Sequence, residues 1–180
     1  MTDTGAALSS AWMRRFAPLI RRGGHVLDLA SGSGRNARWL AAQGWQVEAV
    51  DRDGAALALM HGIDNIATRE TDLEAQPWPY SGQQFDAIVV CRYLHRPLLP
   101  LLAASLAPDG VLIYETFMRG QEKIGRPQRP EFLLWPNELL VSFGTELILV
   151  AFEQGMDASA QPAVVQRICL VKNATQMRIG

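Results

Sequence analysis

Cysteine is scarce in this chain of 180 residues, and long apolar runs are missing from it. The two cysteines, Cys91 and Cys169, are too few for a disulfide framework, and each lies in an apolar run that favours a reduced thiol. No apolar stretch approaches the roughly 20 residues of a membrane helix, and the N-terminus lacks the basic and then apolar order of a signal peptide. The sequence therefore predicts a cytoplasmic protein without a membrane segment.

Net charge is also low, because 17 lysines and arginines stand against 18 aspartates and glutamates. This balance disfavours a protein whose whole surface binds nucleic acid, although it allows a local basic patch. Hydrophobic residues make up 48% of the chain, which is enough apolar surface to exclude wholesale disorder. A chain of this length fits one domain, not a cofactor domain followed by a separate substrate domain.

Short β-branched runs alternate with longer helical patterns, an order that builds a parallel sheet with helices on both faces. It predicts an α/β fold, a three-layer α/β/α Rossmann-like sandwich whose seven-stranded sheet is mostly parallel. Only a loop separates the last two strands, so the last strand should be antiparallel. The predicted strands are His25–Ala30, Val47–Asp51, Ile66–Thr71, Phe85–Cys91, Val111–Glu115, Glu146–Phe152 and Ala163–Lys172. The predicted helices are Leu8–Arg22, Arg35–Gln43, Asp53–His61, Pro97–Leu106 and Asn137–Phe143.

The first helix and one long loop are the segments that this sheet pattern leaves for a binding site. Residues 1–23 contain an amphipathic helix that we expect to cover the site, ahead of a single domain over residues 24–180. Its Trp12 and Phe16 would either close over a ligand or, as we favour, anchor the helix to the sheet. The loop Thr116–Pro136 has several glycines and prolines and little periodicity, which is typical of functional loops.

A glycine pair directly follows the first predicted strand. Gly32 and Gly34 would let the backbone turn sharply and approach a ligand, and the helix that begins after them offers free backbone N–H groups. About twenty residues later, Asp51 ends the second predicted strand, where its carboxylate can accept hydrogen bonds from ribose hydroxyls. This order predicts a nucleotide-binding turn.

Two cofactor classes could use such a turn. The run from Gly32 to Ala37 fits the G-x-G-x-x-A fingerprint of dinucleotide sites, which favours a nicotinamide cofactor. Asp28 precedes the glycines at the end of the first strand, where its charge would repel a pyrophosphate but would suit a ligand with an ammonium and a sulfonium. The charge argument therefore favours S-adenosylmethionine.

A family resemblance rests on five segments in this order: Asp28-Leu-Ala-Ser-Gly32-Ser-Gly34, Val-Glu-Ala-Val-Asp51, Thr71-Asp72-Leu73, Phe85-Asp86 through Tyr93-Leu-His95, and Leu106-Ala-Pro-Asp-Gly110. The chain resembles class I S-adenosylmethionine-dependent methyltransferases, and in size the small members near the tellurite-resistance group. It departs from the family motif at Ala30, where glycine is usual. The resemblance implies these cofactor contacts: Asp28, Ala30, Ser31, Gly32 and Gly34 for the methionine end, Asp51 for the ribose, Asp72 and Leu73 for the adenine, Arg52 beside the adenine face, and Cys91 at the end of the fourth strand.

Methyl transfer from a sulfonium is an in-line displacement for which positioning is the main contribution of a protein. The acceptor should enter near the end of the fourth strand, where Tyr93 and His95 are candidates to orient or deprotonate it. Glu115 ends the fifth strand on the same edge of the sheet and could accept a proton or pair with an arginine. We name these three residues as catalytic candidates and predict no metal site.

The loop from Arg119 to Arg129 has a local excess of basic residues, which favours an anionic acceptor. Together these features predict an S-adenosylmethionine-dependent methyltransferase that acts on a small, anionic or polar acceptor. Methylation of RNA or protein is a second hypothesis, disfavoured because the chain has no room for an appended recognition domain. A module that binds S-adenosylmethionine without catalysis is a third.

Overall fold

The computed structural model describes residues 8–144, 146–159 and 161–173. Within these ranges the helices are α1 (Ala11–Phe16), α2 (Arg35–Ala42), α3 (Gly54–Ala58), α4 (Leu99–Ala104) and α5 (Glu138–Phe143). The strands are β1 (His25–Leu29), β2 (Gln46–Asp51), β3 (Ile66–Glu70), β4 (Phe85–Cys91), β5 (Leu106–Phe117), β6 (Ile148–Asp157) and β7 (Ala163–Val171). None of the helices described has the length and apolar character needed to cross a membrane.

The seven strands form one sheet in the order β3-β2-β1-β4-β5-β7-β6. Strands β1 to β5 pair in parallel, whereas β7 pairs antiparallel with both β5 and β6. The predicted fold class and the antiparallel last strand are confirmed. Strands β2 and β3 are added on one side of β1, and β4 and β5 on the other, so the strand order reverses between β1 and β4. In open α/β sheets ligands bind at the carboxyl ends of the strands beside such a reversal.

Alternate residues of the central strands face two separate apolar cores. Leu27 and Ile88 pack with α4 and α5 on one face, while Val26 and Val89 pack with α1, α2 and α3 on the other. Because both faces are covered, the central strands are apolar nearly throughout, which explains why their runs were easy to detect. The helices on both faces make up the outer layers of the predicted sandwich.

Element ends differ from the prediction where proline or strand pairing intervenes. The first helix is shorter than Leu8–Arg22: Ser10 caps α1 by accepting from the Met13 amide, and the chain tightens into a 3-10 turn at Ala17–Leu19, which contains Pro18. The predicted helix Pro97–Leu106 likewise begins as a 3-10 turn, Arg96–Leu98, and its last residue belongs to β5.

The long loop begins later than predicted. Thr116 and Phe117 continue β5, because they pair with Gln166 and Val165 of β7. Pairing with a strand fifty residues away is a tertiary effect that local sequence patterns do not contain. The loop between β5 and α5 therefore starts at Met118.

Candidate active site

The turn after β1 has a left-handed backbone at three positions, Ala30 (φ +53°), Gly32 (φ +54°) and Gly34 (φ +80°). A side chain at Gly34 would also collide with the thioether of Met60, whereas Gly32 has nothing within 4 Å of the position of a Cβ. Glycine is therefore required at position 34 by space as well as by backbone conformation, which accounts for the motif in physical terms.

Asp51 fixes this turn to the end of β2. Its Oδ2 accepts from the Gly32 amide at 2.7 Å, and its Oδ1 accepts from the Asp53 amide at 3.0 Å. The parallel pairing of β1 with β2 brings Leu29 opposite Val50. Gly32 and Asp51, which are 19 residues apart in sequence, therefore meet at the carboxyl ends of these two strands. The glycine turn and the acidic strand end, which the sequence predicts to bind one nucleotide, are thus joined by a hydrogen bond.

Asp28 lies beneath the turn and is only 1% exposed. Its Oδ2 accepts from the Ala37 amide in the first turn of α2 at 3.0 Å. Burial raises the pKa of Asp28 to about 7, while this hydrogen bond and the charge of Arg35 lower it in part. Asp28 lines neither of the two cavities described below, so in this structure it supports the turn from below.

The first cavity, of about 370 Å³, opens where the carboxyl ends of β1, β2, β3 and β4 meet. Of the predicted site residues, those that line it are Ala30, Asp51, Arg52, Asp72, Leu73 and Tyr93; Thr71, Glu74, Arg92, Leu94, Thr116, Phe117, Pro127 and Phe132 complete its wall. The Asp72 carboxylate accepts from the amides of Glu74 and Ala75, so this residue also caps its own turn.

Two buried hydroxyls at this site have no hydrogen-bond partner among the described residues, those of Tyr93 and Ser31. The backbone carbonyl of Tyr93 accepts from the Tyr114 hydroxyl at 2.9 Å, which holds the β4 end in place. Burial, together with the nearby carboxylates of Glu74 and Asp72, raises the pKa of Tyr93, so its phenol stays protonated at neutral pH. In this protonated form the Tyr93 hydroxyl can donate a hydrogen bond to a ligand in the first cavity.

The second cavity, of about 530 Å³, adjoins the first and shares Arg92, Thr116 and Phe117 with it. Its other wall residues come from distant parts of the chain: Leu8, Ser9, Ser10, Ala11, Trp12, Arg35, Glu115, Asp157, Ser159, Gln161, Ala163, Val165 and Arg167. Both cavities thus open on the same edge of the sheet and meet at the ends of β4 and β5.

Glu115 is the catalytic candidate that lies in the second cavity. Its Oε2 accepts from Arg167 Nε at 3.1 Å, and its Oε1 accepts from the Cys91 thiol at 3.5 Å. Burial first, and then the Glu115 carboxylate, raises the pKa of Cys91, which therefore remains a thiol that donates. Arg167 also pairs with Asp157 and, at 3.7 Å, with Glu153. Glu115 is consequently held in one orientation by partners on both sides.

His95 is the N-cap residue of the 3-10 turn Arg96–Leu98 before α4, and it lines neither cavity. The structure therefore does not bring it together with Tyr93 and Glu115. Ser31, Gly32, Gly34 and Cys91 also lie outside the cavity walls, although the first three belong to the turn that borders the first cavity.

The basic loop contributes apolar groups to the site instead of charges. Lys123, Arg126 and Arg129 are exposed, and Arg119 lies 4.0 Å over the ring of Trp135. None of these four residues lines either cavity. Pro127 of the basic loop, and Phe132 shortly after it, line the first cavity.

Arg96 anchors this loop by hydrogen bonds, and no motif in the sequence marks it. Its guanidinium donates to the Glu138 carboxylate at 2.6 and 3.0 Å and to the carbonyls of Glu131 and Leu133 at 2.8 and 3.0 Å. Arg92 and Arg167 were missed as well. Arg92 directly follows the fourth strand, so its position was a usable signal, but Arg167 lies on β7 and no motif marks it.

Comparison with known proteins agrees with this geometry. A family model described as a methyltransferase domain matches residues 5–142. A search of curated proteins returns no match.

Among solved structures, the chain is similar to TehB from Haemophilus influenzae, with 19% identity over 91% of this chain, 62% of that protein and a TM-score of 0.76. A TehB-like SAM-dependent methyltransferase from Corynebacterium glutamicum has 20% identity over 89% of this chain and 86% of that protein, with a TM-score of 0.65. The chain is also similar to the 1,6-didemethyltoxoflavin-N1-methyltransferase of Burkholderia thailandensis, solved with 1,6-didemethyltoxoflavin and S-adenosylhomocysteine. The identity is 18% over 91% of this chain and 79% of that protein, with a TM-score of 0.64. The chain thus spans less than two thirds of the Haemophilus protein, and at these identities the likeness is one of fold.

Proposed function

Because the chain belongs to the family of methyltransferase domains, with the class I fold of S-adenosylmethionine-dependent enzymes, we propose that it methylates a small, anionic or polar acceptor. S-adenosylmethionine is the cofactor of this class, as the motifs predicted. In our proposal the cofactor occupies the first cavity and the acceptor the second. The observation that carries this assignment is the junction of the two cavities at the ends of β4 and β5.

The residues around the first cavity fit a nucleoside with a cationic tail. The Asp51 carboxylate suits the ribose hydroxyls, and the Asp72–Leu73 segment suits the adenine. The unpartnered hydroxyls of Tyr93 and Ser31 are groups that a polar ligand would satisfy, since buried polar atoms without partners are rare. These contacts support the cofactor assignment.

The bound cofactor supplies an activated methyl group, and its transfer forms a bond to the acceptor as the sulfur–carbon bond breaks. The contribution of the protein is to hold the acceptor in line and to exclude water. We assign Tyr93 to hydrogen-bond donation beside the cofactor, because its phenol stays protonated. We assign Glu115 to orienting the acceptor or taking its proton, since its carboxylate faces the second cavity and is fixed by Arg167.

The wall of the second cavity supports a small acceptor. Its volume of about 530 Å³ lies within the range of small-molecule sites. Residues Leu8 to Trp12 form one side, which supports the proposal that residues 1–23 cover the site. The indole of Trp12 also donates to the Ile168 carbonyl at 3.2 Å, so the same helix is anchored to the sheet.

Titration calorimetry with S-adenosylhomocysteine and a labelled-methyl assay would test the proposal. We expect saturable binding of S-adenosylhomocysteine, and transfer of label from S-adenosylmethionine to a metabolite of low molecular mass in a fractionated cell extract. Absence of binding at millimolar concentration would overturn the cofactor assignment. Label found only in RNA or protein, or binding without transfer to any fraction, would overturn the assignment of a small acceptor.

A further inference from the structure

Backbone conformation singles out one arginine at the junction of the cavities. Among the described residues, six that are not glycine have positive φ, and four of these are asparagine or aspartate, whose short polar side chains tolerate this region: Asn65, Asp109, Asn137 and Asn173. The two exceptions are Ala30 and Arg92. Both of them line the first cavity, where the left-handed conformation coincides with the candidate site.

Arg92 has a φ of +57° at the first position after β4. Its amide donates to the Glu115 carbonyl at 2.9 Å, which extends the pairing of β4 with β5 by one residue and fixes the turn. Glycine would adopt this conformation without strain and asparagine with little. Strained side chains at such positions cluster at functional sites, so the side chain itself needs an explanation.

Arg92 is exposed and lines both cavities. Two other arginines line the second cavity, and both have partners: Arg35 donates to the Leu8 carbonyl at 2.9 Å, and Arg167 pairs with Glu115 and Asp157. Among the described residues, Arg92 has neither an ion-pair nor a hydrogen-bond partner for its side chain. It is therefore the one guanidinium of the second cavity with all of its donors available.

We propose that Arg92 is a specificity-determining residue that binds an oxyanion, in the first instance a carboxylate, of the methyl acceptor. The planar fork of a guanidinium matches a carboxylate in a bidentate manner, and Arg92 lies where the two cavities meet. When its anionic group is bound to Arg92, the acceptor can extend its remaining atoms toward the first cavity, where we propose that the cofactor binds. This inference deepens the proposed function and rests on it.

Malonate is a suitable probe, because it is a small dicarboxylate, with 1,3-diaminopropane as the cationic counterpart. Melting temperature would be followed against probe concentration at constant ionic strength, with and without saturating S-adenosylhomocysteine. We expect malonate, but not the diamine, to raise the melting temperature of the natural protein in a saturable manner. A response that does not saturate, or that the diamine reproduces, would overturn the proposal.

Arg92→Gly removes the guanidinium and suits the left-handed backbone, so the variant should fold at least as well as the natural protein. We expect its apparent affinity for malonate to fall about tenfold or more, and that of Arg92→Lys to fall by less, because lysine keeps the charge without the fork. Arg22→Gly is the matched control: Arg22 is exposed just before β1, at the opposite end of the sheet. Equal malonate affinities in the glycine variants at 92 and 22 would overturn the proposal.

The affinity for S-adenosylhomocysteine separates this inference from the proposed function. We expect Arg92→Gly to weaken malonate binding by a larger factor than it weakens S-adenosylhomocysteine binding, although Arg92 also lines the first cavity. A tenfold loss of S-adenosylhomocysteine affinity with unchanged malonate binding would mean that Arg92 holds the carboxylate of the cofactor, which overturns the proposal but not the function. If the natural protein does not bind S-adenosylhomocysteine, the function fails, and the malonate titration without it still tests Arg92.

Discussion

The two cavities differ in how the chain builds them. Most of the first cavity comes from consecutive strand ends, at Ala30, Asp51 to Arg52, Thr71 to Glu74 and Arg92 to Leu94. The second is assembled from the start of α1, the start of α2, the ends of β4 and β5, and the hairpin of β6 and β7. Local turns at strand ends therefore build the first cavity, whereas the second depends on pairing between distant parts of the chain.

The charges of the two walls differ as well. Three carboxylates and two guanidiniums line the first cavity: Asp51, Asp72 and Glu74 against Arg52 and Arg92. Two carboxylates and three guanidiniums line the second: Glu115 and Asp157 against Arg35, Arg92 and Arg167. A cationic cofactor beside an anionic acceptor matches this asymmetry, which overall composition averages to nearly zero.

The largest expected effect is a change in the free energy of unfolding with pH, caused by the buried carboxyl of Asp28. Because the pKa of Asp28 is raised from an ordinary value near 4 to about 7, its protonated form stabilises the fold below about pH 4, and this contribution is lost as the pH rises through 7. The loss amounts to about 4 kcal/mol for a shift of this size.

Asp28→Asn keeps the acceptor for the Ala37 amide and removes the titration. We expect the free energy of unfolding of the natural protein, relative to this variant, to decrease from pH 4 to pH 8. Urea denaturation at several pH values, without cofactor, measures the difference. A difference that stays constant over this range would contradict the expectation.

The next largest effect distinguishes the two glycines of the turn. Gly34→Ala should reduce the free energy of unfolding by about 3 kcal/mol, because it combines a left-handed alanine with a collision against Met60. Gly32→Ala has the same backbone penalty and open space, so it should lose only about 1 kcal/mol. Urea denaturation of the pair measures this. Equal losses would show that Met60 moves aside.

The proposed contact between Asp51 and the cofactor gives the third prediction. Asp51→Ala should weaken S-adenosylhomocysteine binding about 100-fold, because it removes a charged acceptor and also frees the Gly32 amide that Asp51 holds. Titration calorimetry measures the change. Asp64→Asn, at an exposed position before β3, is the matched control and should bind like the natural protein. Similar affinities for both variants would remove Asp51 from the cofactor site.

The smallest effect tests whether the cavities are separate. Glu115→Gln should reduce the free energy of unfolding by about 1 kcal/mol, since Arg167 keeps Asp157 and loses one of its carboxylates. S-adenosylhomocysteine affinity should change less than about twofold, because Glu115 lines only the second cavity.

Glu153→Gln is the control for Glu115→Gln. Glu153 also lies beside Arg167, but it is exposed and outside both cavities, so its loss should change the free energy of unfolding by less than about 0.5 kcal/mol. If Glu115→Gln weakens S-adenosylhomocysteine binding as much as Asp51→Ala does, the division into cofactor and acceptor cavities is wrong.

The first cavity could largely be predicted, since glycine turns and acidic strand ends are local signals. Asp51 was predicted because it ends a strand that its apolar run reveals, and Asp72 and Leu73 were predicted because the segment Thr71-Asp72-Leu73 resembles the methyltransferase family. The charges of the Arg119 to Arg129 loop were the sequence's reason to expect an anionic acceptor, but these side chains do not line the first cavity. Pro127 and Phe132 line it instead, and Arg126 and Arg129 are exposed. The direction in which a loop residue points depends on what holds the loop, here Arg96.

The order of strands and helices along the chain, the antiparallel end of the sheet and the glycine turn after β1 could all be predicted from the sequence alone. These features follow from the periodicity of apolar residues and from backbone conformations that only certain residues adopt. Three features became visible only in the folded chain: Arg167 fixes Glu115, Asp28 lies beneath the turn, and the side chain of Arg92 has no partner among the described residues where the two cavities meet. Such contacts join residues far apart in the chain, so their geometry exists only once the sheet has paired.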